Sequence, residues 1–270
     1  MRRYFRSKIP VDLEKLLAEK QALADSKRVA GALNATSEWK SARQSNALKQ
    51  VFELLKAMAG ARERCMYCSD SHGTDIEHFR PKTPYPDRMF RWTNLLLGCS
   101  GCGRLKGDRF PLDAAARPLL IDPTDENPWD FLDFDPRTGN IVAKFDPSSN
   151  DWNLRGATTV EILRLDRREA LAQGHLRCFR EIRKLIESVL RPQPFDIHDL
   201  FDRLTSIDEY GLLHWCFSGP GRNETPFSSF REMHRDAWDL YVTKLSRTGD
   251  VSNTQSPRTA NEPPAPTPEP

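Results

Sequence analysis

The stretch CSGCGRLKGDRFP, residues 99–111, opens with two cysteines three positions apart and runs into a short predicted helix. A second pair with the same spacing lies upstream in CMYC, residues 65–68. Each C-x-x-C turn can present two thiolates to one ion, and two such turns complete a tetrahedral structural zinc site. We therefore predict that one structural Zn²⁺ is bound by Cys65, Cys68, Cys99 and Cys102. The alternative is four buried, reduced thiols.

Composition and charge limit the classes of partner. The chain has 270 residues, of which 38% are hydrophobic and 29% charged, and its net charge is +2. A nucleic acid would therefore have to be held by a local basic patch, since overall attraction is weak. No apolar run approaches the roughly 20 residues that span a bilayer, and no signal-peptide pattern follows the N-terminal arginines. We expect a cytoplasmic protein with no membrane partner.

The chain divides by composition into four predicted regions. These are an N-terminal helical region (1–60), a glycine-, cysteine- and histidine-rich core (61–113), a mostly helical C-terminal region (114–246) and a tail (247–270). The tail is rich in proline and poor in apolar side chains, so we expect it to be disordered. Apolar periodicity predicts helices at 11–33, 37–58, 158–190, 197–204 and 227–245, and a turn followed by a short strand within 136–145. Cys178 and Cys216 lie alone in apolar surroundings and are predicted core residues.

Between and beside the cysteine pairs lie DIEHFRPK (75–82), RWTNLLLGC (91–99) and CGRLKGDRFP (102–111). These three segments resemble the HNH endonucleases of the ββα-metal type. Within that class they resemble the PtuB-like HNH proteins of Septu and retron anti-phage defence systems. The segments 119–141 and 158–171 resemble the same branch more loosely. The resemblance implies a mainly α protein with a small ββα-metal (HNH) zinc-knuckle insert, which is an α+β fold.

The resemblance also implies site residues for a metal-dependent hydrolysis of DNA phosphodiester bonds. His78 would be the general base, because an imidazole can accept a proton near neutral pH. Glu77 would supply a hard oxygen ligand to a catalytic Mg²⁺ or Mn²⁺. Asn94 would orient the base through the loop backbone. Four basic residues are candidate phosphate contacts, namely Arg80, Lys82, Arg104 and Lys106.

One expected ligand is missing from this pattern. In such nucleases a His or Asn that binds the catalytic cation follows the second knuckle cysteine, but this chain has Gly103, and Gly107 one helical turn later. Glu77 could suffice with water and substrate phosphate, because Mg²⁺ keeps several waters. Alternatively, Asp75 or Asp108 could substitute as ligands. A third alternative is a catalytically degenerate zinc module that binds nucleic acid or docks a partner.

The resemblance finally implies a setting. HNH subunits of this kind commonly work beside an ATPase that restrains or licenses cutting, so we expect an ATPase partner encoded nearby. The helical flanks, residues 1–60 and 150–246, are the candidate docking surfaces. On this interpretation the protein is an effector nuclease in anti-phage defence, with DNA as its substrate.

Overall fold

The computed structural model describes residues 1–191 and 193–247, and this part of the chain is mainly helical. The predicted disordered tail lies outside the described residues, except for residue 247 at the end of the last helix. The helices are α1 Val11–Val29, α2 Ala35–Ala42, α3 Asn46–Ala59, α4 Ser100–Lys106, α5 Leu154–Leu163, α6 Glu169–Val189, α7 Ile197–Ile207, α8 Leu212–Phe217, α9 Phe227–Met233 and α10 Arg235–Arg247. In this described part the strands pair as three antiparallel hairpins, β1 Asp75–His78 with β2 Leu95–Gly98, β3 Leu132–Phe134 with β4 Ile141–Ala143, and β5 Phe145–Asp146 with β6 Asp151–Trp152.

The N-terminal region contains three helices where two were predicted. The helix predicted over 37–58 was wrong in its continuity, because the chain leaves helical geometry at Ser45 (φ −69°, ψ 153°) between α2 and α3. Serine favours helix ends over helix interiors, since its hydroxyl competes for backbone hydrogen bonds. The first helix also stops earlier than predicted, at Val29. Gly31 follows with φ +68°, a left-handed conformation that commonly ends helices.

The first hairpin and α4 form a compact ββα unit. In its register Glu77 lies opposite Leu96 and His78 opposite Leu95. Because strand side chains alternate between faces, Glu77 and His78 point in opposite directions. The α4 helix begins directly after β2, and the Cys99 thiol caps it by accepting the backbone N–H of Cys102 at 3.4 Å. The unit therefore carries one cysteine pair at the start of its helix.

Two further predicted helices are also divided in the structure. The one predicted over 158–190 is α5 and α6, separated where Arg164 adopts a left-handed conformation (φ 51°) and closes the first helix. The one predicted over 227–245 is α9 and α10, interrupted at His234 (φ −134°, ψ 60°). The predicted turn and short strand are confirmed as the β3–β4 hairpin. Its turn needs Gly139, because a Cβ there would lie 2.2 Å from the carbonyl oxygen of Ala172.

Within the described residues, one apolar core joins the first three predicted regions. Buried residues from α1 to α10 form a single contiguous cluster, and it includes Cys178 and Cys216, as predicted. The boundaries of the four regions stay a prediction. Within residues 1–191 and 193–247, no helix combines the length and the apolar composition needed to span a membrane.

Candidate functional site

The four paired cysteines converge in the fold. Their Sγ atoms all lie within 4.8 Å of one another, and all four residues are buried. The first pair is attached to the hairpin because the Met66 N–H donates to the Leu97 carbonyl of β2 at 2.8 Å. Four convergent soft thiolates fit a structural Zn²⁺ and leave no open coordination position. These residues would hold the ion, which would stabilise the fold and take no part in chemistry.

An arginine from outside this segment reaches the cysteine cluster. The guanidinium Nη1 of Arg168, the residue before α6, lies 3.5 Å from the Cys102 Sγ. A donor at that distance offsets part of the negative charge of a thiolate, as residues around metal ligands commonly do. Sequence reasoning missed Arg168: its segment, 158–171, resembles the same branch, but nothing in that segment points to a partner 66 positions away.

The Glu77 side chain of β1 meets a lysine of α4. The Lys106 ammonium donates to Glu77 Oε1 at 2.9 Å and to the His78 carbonyl at 2.6 Å. The Lys106 side chain is 0% exposed, whereas that of Glu77 is 20% exposed. Burial raises the pKa of the Glu77 carboxyl, and the Lys106 charge acts in the opposite direction. The ion pair therefore compensates a carboxylate that is largely removed from water.

Gly103 faces the other oxygen of the same carboxylate. A Cβ at position 103 would lie 3.1 Å from Glu77 Oε2. A longer side chain at this position would therefore extend directly beside Glu77. Position 103, where the family resemblance implies a third ligand, therefore lies beside Glu77 but supplies no side chain.

The residues around Glu77 do not fit a divalent cation in this arrangement. Asp75 shares a strand face with Glu77, but its Oδ1 is paired with Arg43 Nη2 at 3.2 Å. Asp108 is exposed beyond the end of α4. Among the described residues the cysteine cluster forms a group of three or more ligand atoms, and Asp75, Glu77 and Asp108 do not. A single carboxylate whose charge is already matched by an ammonium is a poor site for Mg²⁺ or Mn²⁺.

His78 is held as a neutral imidazole on the opposite face of β1. The residue is 5% exposed, and its Nε2 lies 3.0 Å from the Met89 carbonyl oxygen. Because a carbonyl only accepts, Nε2 must carry the proton and Nδ1 must carry the lone pair. Burial lowers the pKa of His78 to about 3. The ring is therefore uncharged at neutral pH, with one basic nitrogen.

Asn94 ties together the loop that carries this carbonyl. Its Nδ2 donates to the Arg80 carbonyl at 3.0 Å and to the Arg88 carbonyl at 2.9 Å, and its Oδ1 accepts the Arg80 N–H at 2.7 Å. The side chain thus joins both ends of the segment 80–88. Through its bond to the Arg88 carbonyl, Asn94 can position Met89, the residue after Arg88, against His78.

Two N-terminal side chains also support this loop, and sequence reasoning missed both. Gln21 of α1 donates from Nε2 to the Pro86 carbonyl at 2.9 Å and accepts the Phe90 N–H at 2.8 Å. Trp39 of α2 packs edge-on against the His78 ring, with the ring centroids 4.3 Å apart. A buried glutamine on a helix is a weak sequence signal, because its burial depends on a distant loop.

The four candidate phosphate contacts are placed unequally. Arg104 is exposed, and Arg80 and Lys82 are half-buried, so solvent reaches all three. The Arg80 guanidinium lies over the Phe110 ring at 5.1 Å and lines a cleft of 730 Å³ together with Asn94. Lys106 has no exposed side-chain surface, and its ammonium is engaged with Glu77.

The fold and site define a mainly helical protein in which a ββα unit is built on a four-cysteine cluster. No protein family model matches the chain. Over 136 residues the chain is 28% identical to the Septu protein PtuB of Bacillus thuringiensis. The aligned stretch covers 47% of this chain and 48% of that protein. The chain thus spans about half the length of the curated relative that it matches, and over that stretch it is PtuB-like.

Proposed function

We propose that the chain is an endonuclease of the HNH class that hydrolyses DNA phosphodiester bonds in anti-phage defence. One observation carries the proposal: the His78 Nε2 lies 3.0 Å from the Met89 carbonyl oxygen and donates to it, which leaves Nδ1 as the ring nitrogen able to accept a proton. His78 follows Glu77 in β1 of the ββα unit, and the helix of that unit begins at the cysteine cluster. The similarity to a Septu protein supports the setting.

In the proposed reaction His78 is the general base. Its Nδ1 takes a proton from a water molecule while the water oxygen forms a bond to phosphorus. The bond from phosphorus to the leaving oxygen breaks, and that oxygen is protonated by solvent. Asn94 acts as a positioning residue through the loop that presents the Met89 carbonyl. Arg80, Lys82 and Arg104 are proposed to contact phosphates, since all three are accessible to solvent.

The catalytic Mg²⁺ or Mn²⁺ implied by the family resemblance stays a prediction. The residues present at Glu77 do not fit such an ion in this arrangement, so no step above depends on it. The structural Zn²⁺ has a matching donor set in the four cysteines and is proposed only to stabilise the fold.

A second candidate function is supported by a specific observation at the same site. Gly103 supplies no ligand and Lys106 neutralises Glu77, as expected of a degenerate nuclease kept as a binding module. Such a module would bind nucleic acid or dock a partner. Its DNA affinity would fall with added salt and would be indifferent to His78→Ala and to magnesium.

The proposed partner is an ATPase subunit encoded nearby. The docking surfaces would be the helical flanks, residues 1–60 and 150–246. Co-expression followed by gel filtration tests this: co-elution with the neighbouring ATPase supports the partnership. Elution of the chain alone, with unrestrained cutting, contradicts it.

A plasmid-cleavage assay tests the function, run in Mg²⁺, in Mn²⁺ and in EDTA, with and without the neighbouring proteins. We expect His78→Ala to lower cleavage by about 10²-fold or more, the usual contribution of a general base. His78→Gln should be equally impaired, although its amide can still donate to the Met89 carbonyl. Zinc content should be unchanged in both variants.

The matched control is His72→Ala, which removes an imidazole that is 61% exposed in the loop before β1. This variant should cut like the wild type. Cleavage by His78→Gln at the wild-type rate would refute the assignment of the base.

A further inference from the structure

The contact between Lys106 and Glu77 is unusual because both of its members are shielded. A lysine with no exposed side-chain surface costs free energy unless its ammonium is paired. Its two acceptors, Glu77 Oε1 at 2.9 Å and the His78 carbonyl at 2.6 Å, both belong to β1 at the candidate site. The pairing therefore joins the last turn of α4 to the strand that carries the base and the candidate ligand.

Gly103 and Lys106, both on α4, face the two carboxylate oxygens of Glu77. Gly103 leaves Glu77 Oε2 with no side-chain ligand beside it, and Lys106 places a positive charge on Oε1. An ammonium and a divalent cation on one carboxylate would repel each other, and burial of both side chains weakens screening by solvent. The two cations therefore exclude one another at Glu77.

We propose that Lys106 is the resident cation of the Glu77 site and that it excludes divalent cations from Glu77 in the free protein. The inference deepens the proposed function, since it names the charge at the same site, and it rests on that function only for its relevance to cutting. It also replaces the predicted phosphate contact of Lys106 by an internal role, because phosphate cannot reach a side chain with no exposed surface.

Removal of Lys106 has different expected effects on stability and metal affinity if the ion pair is purely structural than if Lys106 occupies a cation site. If Lys106 only anchors α4, its removal lowers stability and creates no affinity for metal. If it occupies a cation site, its removal leaves a carboxylate that is only 20% exposed and has lost its ion-pair partner, with Lys82 as the remaining nearby positive charge. Such a carboxylate gains a partner by binding a divalent cation from solution.

The test measures Mn²⁺ binding to the zinc-loaded full chain by calorimetry and by the loss of the free Mn²⁺ resonance signal. Lys106→Met removes the charge and roughly keeps the volume, and Lys106→Gln also keeps a donor for the His78 carbonyl. We expect no Glu77-dependent binding by the wild type up to about 1 mM Mn²⁺. Each variant should bind one Mn²⁺ at least about tenfold more tightly than the wild type.

Two controls isolate the site. Adding Glu77→Gln to Lys106→Met should abolish the gained binding. Lys49→Met, which removes an exposed charge on α3, should leave binding at the wild-type level. Zinc content verifies folding, and if one Lys106 variant loses zinc the other carries the test.

The proposal is overturned if the wild type binds Mn²⁺ through Glu77 as tightly as the Lys106 variants. It is also overturned if a folded Lys106 variant gains no Glu77-dependent site. Because binding is measured without DNA, this result is separate from the cleavage assay. A chain that never cuts could still show the exchange of cations, and a chain that cuts could fail to show it.

Discussion

At the residue scale, burial changes the chemistry of single side chains. His175 is 1% exposed, donates from Nδ1 to the Gly139 carbonyl at 2.8 Å and has a buried Nε2 with no hydrogen-bond partner among the residues that the structure describes. Burial lowers the pKa of His175 to about 3, the same value as for His78. Position in the fold therefore separates their proposed roles, because His78 lies on a candidate site and His175 packs against Phe134 and Tyr210.

His175 predicts a loss of stability in mild acid. Its pKa is lower in the folded chain than the ordinary value of 6.5, so the unfolded chain binds the proton first as the pH falls. Stability is therefore fully present above pH 6.5 and is lost as the pH falls toward 3. Near pH 5 the slope that His175 adds to the unfolding free energy against pH approaches about 1.4 kcal/mol per pH unit.

Urea unfolding of wild type and His175→Gln at pH 7.5, 6 and 5 measures this contribution. The variant should lose less stability per pH unit, whatever its stability at pH 7.5. The exposed His198 provides the control, since His198→Gln should follow the wild-type slope. Parallel slopes for wild type and His175→Gln would contradict the prediction.

At the element scale, α1 supports the loop between β1 and β2. Gln21 satisfies one backbone acceptor and one backbone donor in the segment 86–90. Asn94 donates to the carbonyl of Arg88 in the same segment and to that of Arg80 before it. The Met89 carbonyl that orients His78 is thus held between a helix and a side chain of the loop itself.

Gln21→Ala should loosen this loop. The change leaves the Phe90 N–H and the Pro86 carbonyl without partners in a buried place, which costs about 1–3 kcal/mol for each group that water does not satisfy. We expect lower unfolding free energy and a lower kcat in plasmid cleavage, with zinc content and KM unchanged. Gln50→Ala, on the exposed face of α3, is the matched control. A stability loss with unchanged kcat would mean that Gln21 supports the fold and does not position the base.

At the scale of the whole molecule, the cysteine cluster joins distant parts of the chain. One pair precedes β1, the other begins α4, and Arg168 adds a contact from the start of α6. Zinc in this cluster would link the segment 65–68 to the ββα unit, and the Arg168 contact would connect that unit to the start of α6. Structural zinc of this kind contributes directly to folding free energy.

Arg168→Ala should weaken retention of zinc. Loss of a residue that hydrogen-bonds a metal ligand typically costs about 10–100-fold in metal affinity. Release of zinc to a chromogenic chelator should therefore be faster in Arg168→Ala. Arg167→Ala is the matched control, because the neighbouring Arg167 pairs with Asp166 at the surface. Equal release from wild type and Arg168→Ala would show that the contact with Cys102 does not hold the metal.

The sequence by itself determined the local features of the site. The spacing within each cysteine pair, the adjacency of Glu77 and His78 and the absence of a side chain at Gly103 are all properties of neighbouring residues. The presence of most helices also followed from apolar periodicity, although their interruptions at Ser45 and Arg164 did not. A helix break depends on the caps and conformations of single residues, which periodicity averages over.

Only the tertiary structure decided the surroundings of these residues. The lysine predicted to meet phosphate, Lys106, is buried on Glu77. Gln21 and Trp39 reach the site from helices that carry no motif, and Arg168 contacts the cysteine cluster from a segment whose resemblance gave it no role. These contacts depend on which helix faces pack together and on how much water each excludes. Packing and burial are properties of the whole chain, so they cannot be predicted from the spacing of nearby residues.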